Sequence, residues 1–129
     1  MSIDKIFGPH EQAIELRARR AEILASNLVN ADTPGYKSRD IDFKEVLSAL
    51  KDNQADRLVT TNPMHLKDDS LLLETDVKYR IPLQTKADGN TVDTHVENTK
   101  YAENNLRYLA SLRFLDHKIK NAIMSVRGD

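Results

Sequence analysis

Residues 25–37 of this 129-residue chain read ASNLVNADTPGYK, and they mark the place where a long helical pattern stops. Asn27 and Asn30 are one helical turn apart, so their side chains share a face of that helix. An amide can hydrogen-bond across a helix interface, and it can also bond the local backbone. The pair therefore predicts either a contact between helices or a cap for the helix end. Fraying of the last turn is the plainer alternative.

The residues that follow predict a turn. Pro34 presets its own φ and Gly35 accepts conformations that other residues avoid, which is typical of a chain reversal. Because proline disfavours helix in the residue before it, we expect the first helix to end before Thr33. Tyr36 carries an apolar ring with a polar tip, and we expect it to contact a neighbour.

Upstream of the turn, apolar residues recur every three or four positions, which predicts an amphipathic helix with a heptad stripe. The stripe runs through Ile3, Phe7, His10, Ile14, Arg17, Ala21, Leu24, Leu28 and Ala31, and Ala13, Leu16 and Ile23 widen it. Proline is favoured at the first helical position, so we expect the helix proper to begin near Pro9 and to span roughly 35 Å. The residues predicted to pack it are Ile14, Ala21, Leu24 and Leu28.

The last part of the chain mirrors the first. Thr94 and Glu97 have the spacing of a capping box, with Thr94 as the N-cap. Steps of four and three then alternate through Tyr101, Asn105, Tyr108, Leu112, Leu115, Ile119, Ala122 and Val126. This stripe predicts a second amphipathic helix of roughly 48 Å that Gly128 ends. The residues predicted to serve in its packing and assembly are Tyr101, Tyr108, Leu112, Leu115, Ile119 and Val126.

The middle of the chain, residues 34–90, has much less pattern. A short helix is predicted over 41–50, with Asp42 and Glu45 spaced as a cap pair, and a polar loop follows it. A single short strand is predicted from the alternation of Val77, Tyr79 and Ile81. Pro82 confines that strand to an edge. We expect this segment to be mobile until something covers it.

The fold class that these patterns predict is mainly α. The two terminal helices are expected to pair as an antiparallel coiled-coil-like hairpin, from which the loop-rich middle protrudes. The N-terminal axial helix is assigned to 1–33, the irregular middle to 34–90 and the C-terminal axial helix to 91–129, together one assembly domain. Two helices bury one stripe each, so the widened stripes leave apolar surface for neighbouring subunits. The alternative is a small irregular helical domain that closes on itself.

Composition and charge exclude several functions. The chain has no cysteine, which excludes disulfides, thiol nucleophiles and zinc knuckles. Its 19 basic and 20 acidic residues are mixed along the chain, without the basic stripe of a helix-turn-helix or other nucleic-acid module. The longest apolar run, Leu71 to Leu73, is far shorter than a membrane span. No signal-peptide pattern follows Met1, so the default expectation is a cytoplasmic protein.

The patterns of catalytic and ligand-binding sites are missing as well. None of the four histidines has another histidine three or four residues away. His95 and Glu97 have the spacing of a zinc deaminase motif, but the cysteines that complete such a site are absent. The four glycines are far apart, so a glycine-rich phosphate loop cannot form. We therefore predict no catalytic residue, no metal, no cofactor and no enzymatic activity.

The stretch at 25–37 resembles the N-terminal signature of the flagellar rod and hook family of axial proteins. That signature has two asparagines three apart and then Thr-Pro-Gly-Tyr-Lys, and the matching residues are Asn27, Leu28, Asn30, Thr33, Pro34, Gly35, Tyr36 and Lys37. Val29 stands where the family usually has alanine. Residues 38–43, 88–93 and 101–104 resemble the continuation in the short rod proteins, so the resemblance covers almost the whole chain. Larger hook and distal-rod relatives carry an inserted domain for which 129 residues leave no room.

The resemblance implies a structural subunit of the proximal rod of the bacterial flagellar basal body. Such a subunit assembles into a helical tube that transmits motor torque and encloses the export channel. The implied partners are other copies of the chain, other rod proteins, the basal-body adaptor FliE, the membrane-ring base and the flagellar type III export apparatus. The resemblance also implies export to the periplasm without a cleaved signal peptide, and Phe7 is a candidate export-signal residue. An alternative of the same ancestry is a cytoplasmic export adaptor or chaperone.

Overall fold

The computed structural model describes residues 3–55 and 77–128, and the side chains of residues 3–7, 9 and 50–55 lie outside it. In chain order the elements are α1 (Ile3–Val29), β1 (Arg39–Ile41), α2 (Phe43–Ala55), β2 (Val77–Tyr79) and α3 (Thr94–Arg127). This part of the chain is mainly helical with one two-stranded sheet, which confirms the mainly α class. α2 continues to Ala55, so the first five residues of the predicted polar loop are helical and that part of the prediction was wrong. The rest of the loop lies outside the described residues, and the three zone boundaries stay a prediction.

α1 ends at Val29, which confirms that the helix stops before Thr33. It begins at Ile3, six residues before Pro9, so the predicted start was wrong. Proline fixes φ at a value that a helix accepts, although it lacks the backbone N–H and its ring crowds the carbonyl four residues earlier. The helix continues through Pro9 without the hydrogen bond to the carbonyl of Lys5.

α3 spans 34 residues and is capped at both ends. Its N-cap is Asp93, whose Oδ1 accepts hydrogen bonds from the backbone N–H groups two and three residues later, at 3.0 and 3.3 Å. The predicted capping box with Thr94 as N-cap was wrong, because the aspartate one residue earlier is at least as good a cap and Glu97 is engaged in a buried ion pair. Gly128 ends the helix with a φ of 76°, the left-handed conformation common after a last turn.

α1 and α3 lie side by side and run in opposite directions. Three contacts set the direction, in order along α1: Asn27 with Glu97, the carbonyl of Arg17 with Asn104, and His10 with Phe114. The prediction that the terminal helices pack together is thus confirmed. The interlocking side chains of a coiled coil stay a prediction.

β1 and β2 pair antiparallel beside the C-terminal half of α1. The strand predicted from Val77 and Tyr79 is confirmed, but it ends there, so Ile81 lies outside it and is 91% exposed. β1 was not predicted, because three residues are too short for a recognisable alternation, and only Ile41 among them is buried.

α2 follows β1 directly and packs on α1. Asp42 is its N-cap, as predicted, and accepts hydrogen bonds from the backbone N–H groups of Lys44 and Glu45 at 3.1 and 3.2 Å. The core under this corner is a small cluster of Leu16, Ile23, Ile41 and Val46, with Phe43 and Val77 packed against it. It holds the sheet and α2 against α1, next to the turn that follows Val29.

Candidate functional site

Asn27 is fully buried near the end of α1, and its amide joins three parts of the chain. Its Nδ2 donates to the carbonyl of Arg39 at 2.6 Å and to Oε2 of Glu97 at 3.0 Å. Its Oδ1 accepts from the N–H of Arg39 at 3.0 Å and from the hydroxyl of Tyr36 at 3.2 Å. An amide has two donors and an oxygen with two lone pairs, so every hydrogen-bonding position of Asn27 is used inside the chain.

The hydroxyl of Tyr36 is bound within the chain, and the expected contact of Tyr36 with a neighbour stays a prediction. Besides donating to Asn27, the hydroxyl oxygen lies 3.4 Å from Oγ of Ser26. The ring is half-buried over the end of α1. The reason is the tight turn at Gly35, whose φ of 73° sends the chain back along the helix it has just left.

Asn30 caps its own helix. Its Nδ2 donates to the carbonyl of Ser26 at 2.8 Å, and its Oδ1 accepts from the hydroxyl of Thr33 at 3.1 Å. Helix ends leave carbonyl groups in need of donors, and an asparagine side chain can supply one. Of the two interpretations of the asparagine pair, Asn30 fits the cap and Asn27 fits the contact between elements.

A second buried asparagine, Asn90, holds the turn from the other side. Its Nδ2 lies 2.9, 3.1 and 2.8 Å from the carbonyl oxygens of Asn30, Ala31 and Thr33. Its Oδ1 accepts from the N–H of Val92 at 2.7 Å. A signal for this role is the position itself, an asparagine between a turn and a helix start, where side chains often bond backbone.

Backbone and side-chain bonds complete the joint between the turn and residues 88–91. The N–H of Gly35 donates to the carbonyl of Asp88, and the N–H of Thr91 donates to the carbonyl of Tyr36, both at 3.0 Å. Nζ of Lys37 donates to the carbonyl of Gly89 at 2.9 Å. The end of α1 and the start of α3 are therefore connected directly, although more than 50 residues separate them in sequence.

Ion pairs extend this joint from α1 to α3 through the sheet. Arg20 bonds the carboxylate of Asp40 at 2.8 and 3.0 Å, and Arg80 bonds the same carboxylate at 2.8 Å. Arg80 also bonds Glu97, which is 1% exposed. Burial alone would raise the pKa of Asp40, but the hydrogen bonds and charge of Arg20, together with Arg80, hold that pKa below its usual range. The same hydrogen bonds raise the pKa of Arg20.

Residues 10–37, which cover most of α1 and the turn after it, match the family described as "Flagella basal body rod protein". The chain is 42% identical to the flagellar basal body rod protein FlgB of Aeromonas hydrophila, over all of this chain and 98% of that protein. It is 43% identical to FlgB of Escherichia coli (strain K12), over 92% of this chain and 90% of that protein. FlgB of Proteus mirabilis is 38% identical over similar shares. This chain belongs to the FlgB family of flagellar basal body rod proteins.

Membership in the FlgB family makes the chain a structural subunit of the basal body rod, and it assembles with other components of the basal body. Residues of the family signature make structural contacts within the chain. Asn27, Asn30, Gly35 and Tyr36 all serve the joint that connects the two long helices. Pro34 is exposed in the turn and Leu28 is half-buried on α1.

The residues predicted for packing and assembly fall into two groups. Leu24 is fully buried, and the half-buried residues are Ile14, Ala21, Leu28, Tyr101, Tyr108 and Leu115. Leu112, Ile119 and Val126 are instead exposed on α3. The side chain of Phe7, the candidate export-signal residue, lies outside the described part of the chain.

Several large apolar residues of α3 stay exposed in this FlgB-family chain. At 100° per residue, five of them lie within an arc of roughly 100°, which also contains the exposed Asp116. This apolar band consists of Leu109, Leu112, Ile119, Ile123 and Val126, which are 53%, 37%, 42%, 46% and 88% exposed. α1 covers the neighbouring face of α3 and leaves the band open.

Within residues 3–55 and 77–128, no three histidine, aspartate or glutamate side chains come close enough to hold a metal ion. None of the helices in that same part of the chain is long and apolar enough to cross a membrane. The FlgB family is a structural one.

Proposed function

We propose that this chain forms the proximal part of the flagellar rod, as a helical tube that transmits motor torque and encloses the export channel. The apolar band on α3 carries the proposal. A two-helix pair has little stability of its own, since most helix stability comes from tertiary packing. A group of large apolar side chains that stays exposed on one side of such a pair is typical of a protein–protein contact.

The joint at Asn27 supports the mechanical part of the proposal. A subunit that transmits torque has to move as one body, so its two long helices must be fixed to each other. The buried amides of Asn27 and Asn90 and the ion pairs of Arg80 supply such a fixed connection at one end of the pair. Buried polar groups that are fully hydrogen-bonded make a structure specific as well as stable.

The proposed partners are other copies of this chain, other rod proteins, the basal-body adaptor FliE, the membrane-ring base and the flagellar type III export apparatus. The proposed location is the periplasmic rod, which the chain reaches without a cleaved signal peptide. Phe7 remains the candidate export-signal residue. Nucleic acid is not among the proposed partners, because basic and acidic residues are mixed along the chain.

Deletion of the gene, followed by imaging of purified basal bodies and a swimming assay, tests the proposal. We expect membrane rings without a rod and cells that do not swim, with both defects repaired by the wild-type gene. Normal rods and normal swimming would overturn the proposal. A chain that stays in the cytoplasm of wild-type cells, together with a deletion strain in which export alone fails, would favour the export adaptor or chaperone instead.

A further inference from the structure

A groove of about 550 Å³ lies between the start of α2, the sheet and α3. Six of its lining residues are basic and two are acidic, over an apolar floor that includes Ile41 and Phe43. We call it the basic groove. It lies on the flank of α3 that carries Lys100 and Arg107, away from the apolar band.

The charges inside the basic groove do not cancel. Four of its basic residues pair with carboxylates: Arg20 with Asp40, Arg80 with Glu97, Lys78 with Glu45 and Arg107 with Glu103. Lys100 also pairs with Asp40, at 3.9 Å, so Lys44 is the remainder. Lys44 is exposed and makes no ion pair with any residue in the described part of the chain.

Lys100 shares its carboxylate partner with two arginines. Its Nζ lies 3.9 Å from Oδ2 of Asp40, an oxygen that already bonds both Arg20 and Arg80. Burial, and then the charge of Arg80, lowers the pKa of Lys100 although two carboxylates are near it. A further carboxylate placed beside Lys100 would favour its charged form.

The chain carries matching acidic side chains on the outer face of α1. Glu11, Glu15 and Glu22 are exposed, and at 100° per residue they lie within roughly 40° of one another. We call them the acidic ridge. By the same geometry the ridge is roughly 160° around α1 from Arg20, which faces the basic groove. Arg19 bonds Glu22 at 3.0 Å, whereas Glu11 and Glu15 have no ion pair among the described residues.

We propose that the acidic ridge of one copy of this chain binds in the basic groove of the next copy, with Glu15 beside Lys44 and Lys100. The inference rests on the proposed rod function. Ridge and groove lie on different faces of one molecule, so a copy bound at its groove still offers its ridge. Such a heterologous contact propagates as an open helix when its rotation does not close a ring, which is the symmetry that a tube requires.

Charge reversal tests the pairing in cells that carry the full-length chain. Glu15→Lys and Lys44→Glu change exposed side chains, so each variant should fold and reach the basal body. We expect each to lower the number of rods per purified basal body at least tenfold, and the double variant to restore it to within about twofold of wild type. Arg113→Glu, an exposed reversal outside the groove, is the matched control and should leave rod number unchanged.

A cross-linking measurement keeps the test independent of these phenotypes. The chain has no cysteine, so Ala18→Cys, one turn from Glu15, and Ser48→Cys, one turn from Lys44, together supply the only two thiols and leave the charged pair in place. With a short bismaleimide, assembled rods of the double variant should give a ladder of covalent multimers, and each single variant should give none.

Wild-type rod numbers in both single reversals, a double variant that stays defective, or a ladder that does not form would each overturn this contact. In those cases wild-type rods still assemble and the proposed function stands. Failure of the wild-type gene to restore rods to the deletion strain would instead overturn the proposed function.

Discussion

The side chain of Asn27 hydrogen-bonds both backbone groups of Arg39. It accepts from the N–H at 3.0 Å and donates to the carbonyl at 2.6 Å. The amide thus makes the pair of bonds to β1 that a neighbouring strand would make, although Asn27 lies on α1, twelve residues before Arg39. Its remaining donor reaches Glu97 on α3. One buried side chain thus fixes α1, the sheet and α3 relative to one another.

We expect Asn27→Ala to lower the free energy of unfolding by about 2–4 kcal/mol, because it leaves buried backbone groups and Glu97 without partners. Asn27→Asp should cost at least as much, since it loses both donors and places a second carboxylate beside Glu97. Chemical denaturation followed by circular dichroism measures both. Asn30→Ala is the control, with an expected loss of about 1 kcal/mol; equal losses at the two positions would contradict the central role of Asn27.

Gly35 offers a test of the turn. Its φ of 73° is unfavourable for any residue with a Cβ, so Gly35→Ala should destabilise the chain by about 1–2 kcal/mol. Nothing lies within 4 Å of a Cβ added there, so this loss would come from backbone strain alone. Gly8→Ala in α1 is the matched control and should raise stability by about 0.5–1 kcal/mol. Thermal or chemical unfolding would show the opposite signs, and the same sign for both would count against this account.

The free energy of unfolding should fall at acid pH as Asp40 becomes protonated. Its pKa is lower in the folded chain than in the unfolded one, so its contribution is complete above about pH 3.8 and is lost as pH falls through the folded pKa. Asp40→Asn should cost about 2–4 kcal/mol at pH 7 and progressively less below pH 4. Asp42→Asn is the control, because asparagine caps a helix as well as aspartate does. A difference between wild type and Asp40→Asn that stays constant from pH 7 to pH 2 would refute this.

His10 predicts a second pH dependence, at the far end of the helix pair. Its Nε2 lies 2.9 Å from Nζ of Lys118, and its ring contacts that of Phe114 at an angle of 50° with the centroids 5.0 Å apart. Burial, and then the charge of Lys118, lowers the pKa of His10 below 6.5. The neutral form is therefore favoured in the folded chain, and this contribution is complete above pH 6.5 and lost as pH falls below it. Between pH 7 and 5.5 the free energy of unfolding should fall more for wild type than for His10→Gln; parallel curves would disprove the coupling.

The heptad patterns were enough to predict two long helices that pack together, because a stripe every 3.5 residues is a strong local signal. They could not separate Leu24, which is buried between helices, from Leu112, which is exposed on α3. The joint could not be predicted from local patterns. Asn90 bonds carbonyls about 60 residues away, and no local pattern contains such a partner. Glu97 has the spacing of a capping residue, yet a buried ion pair with Arg80 is its actual role.

The apolar band on α3 gives the sharpest test of assembly. Leu109 and Ile123 are about half exposed, so Leu109→Asp and Ile123→Asp should change the free energy of unfolding by no more than about 0.5 kcal/mol. Each places a charge where a neighbouring subunit is proposed to pack, so we expect no rods and no swimming. Asn121→Asp adds the same charge on an exposed position outside the band and should behave as wild type. Leu115→Asp should abolish rods too, but with a loss of stability, because Leu115 is half-buried in the helix pair. Normal rods in the Leu109 and Ile123 variants would mean that the band faces solvent in the assembled rod.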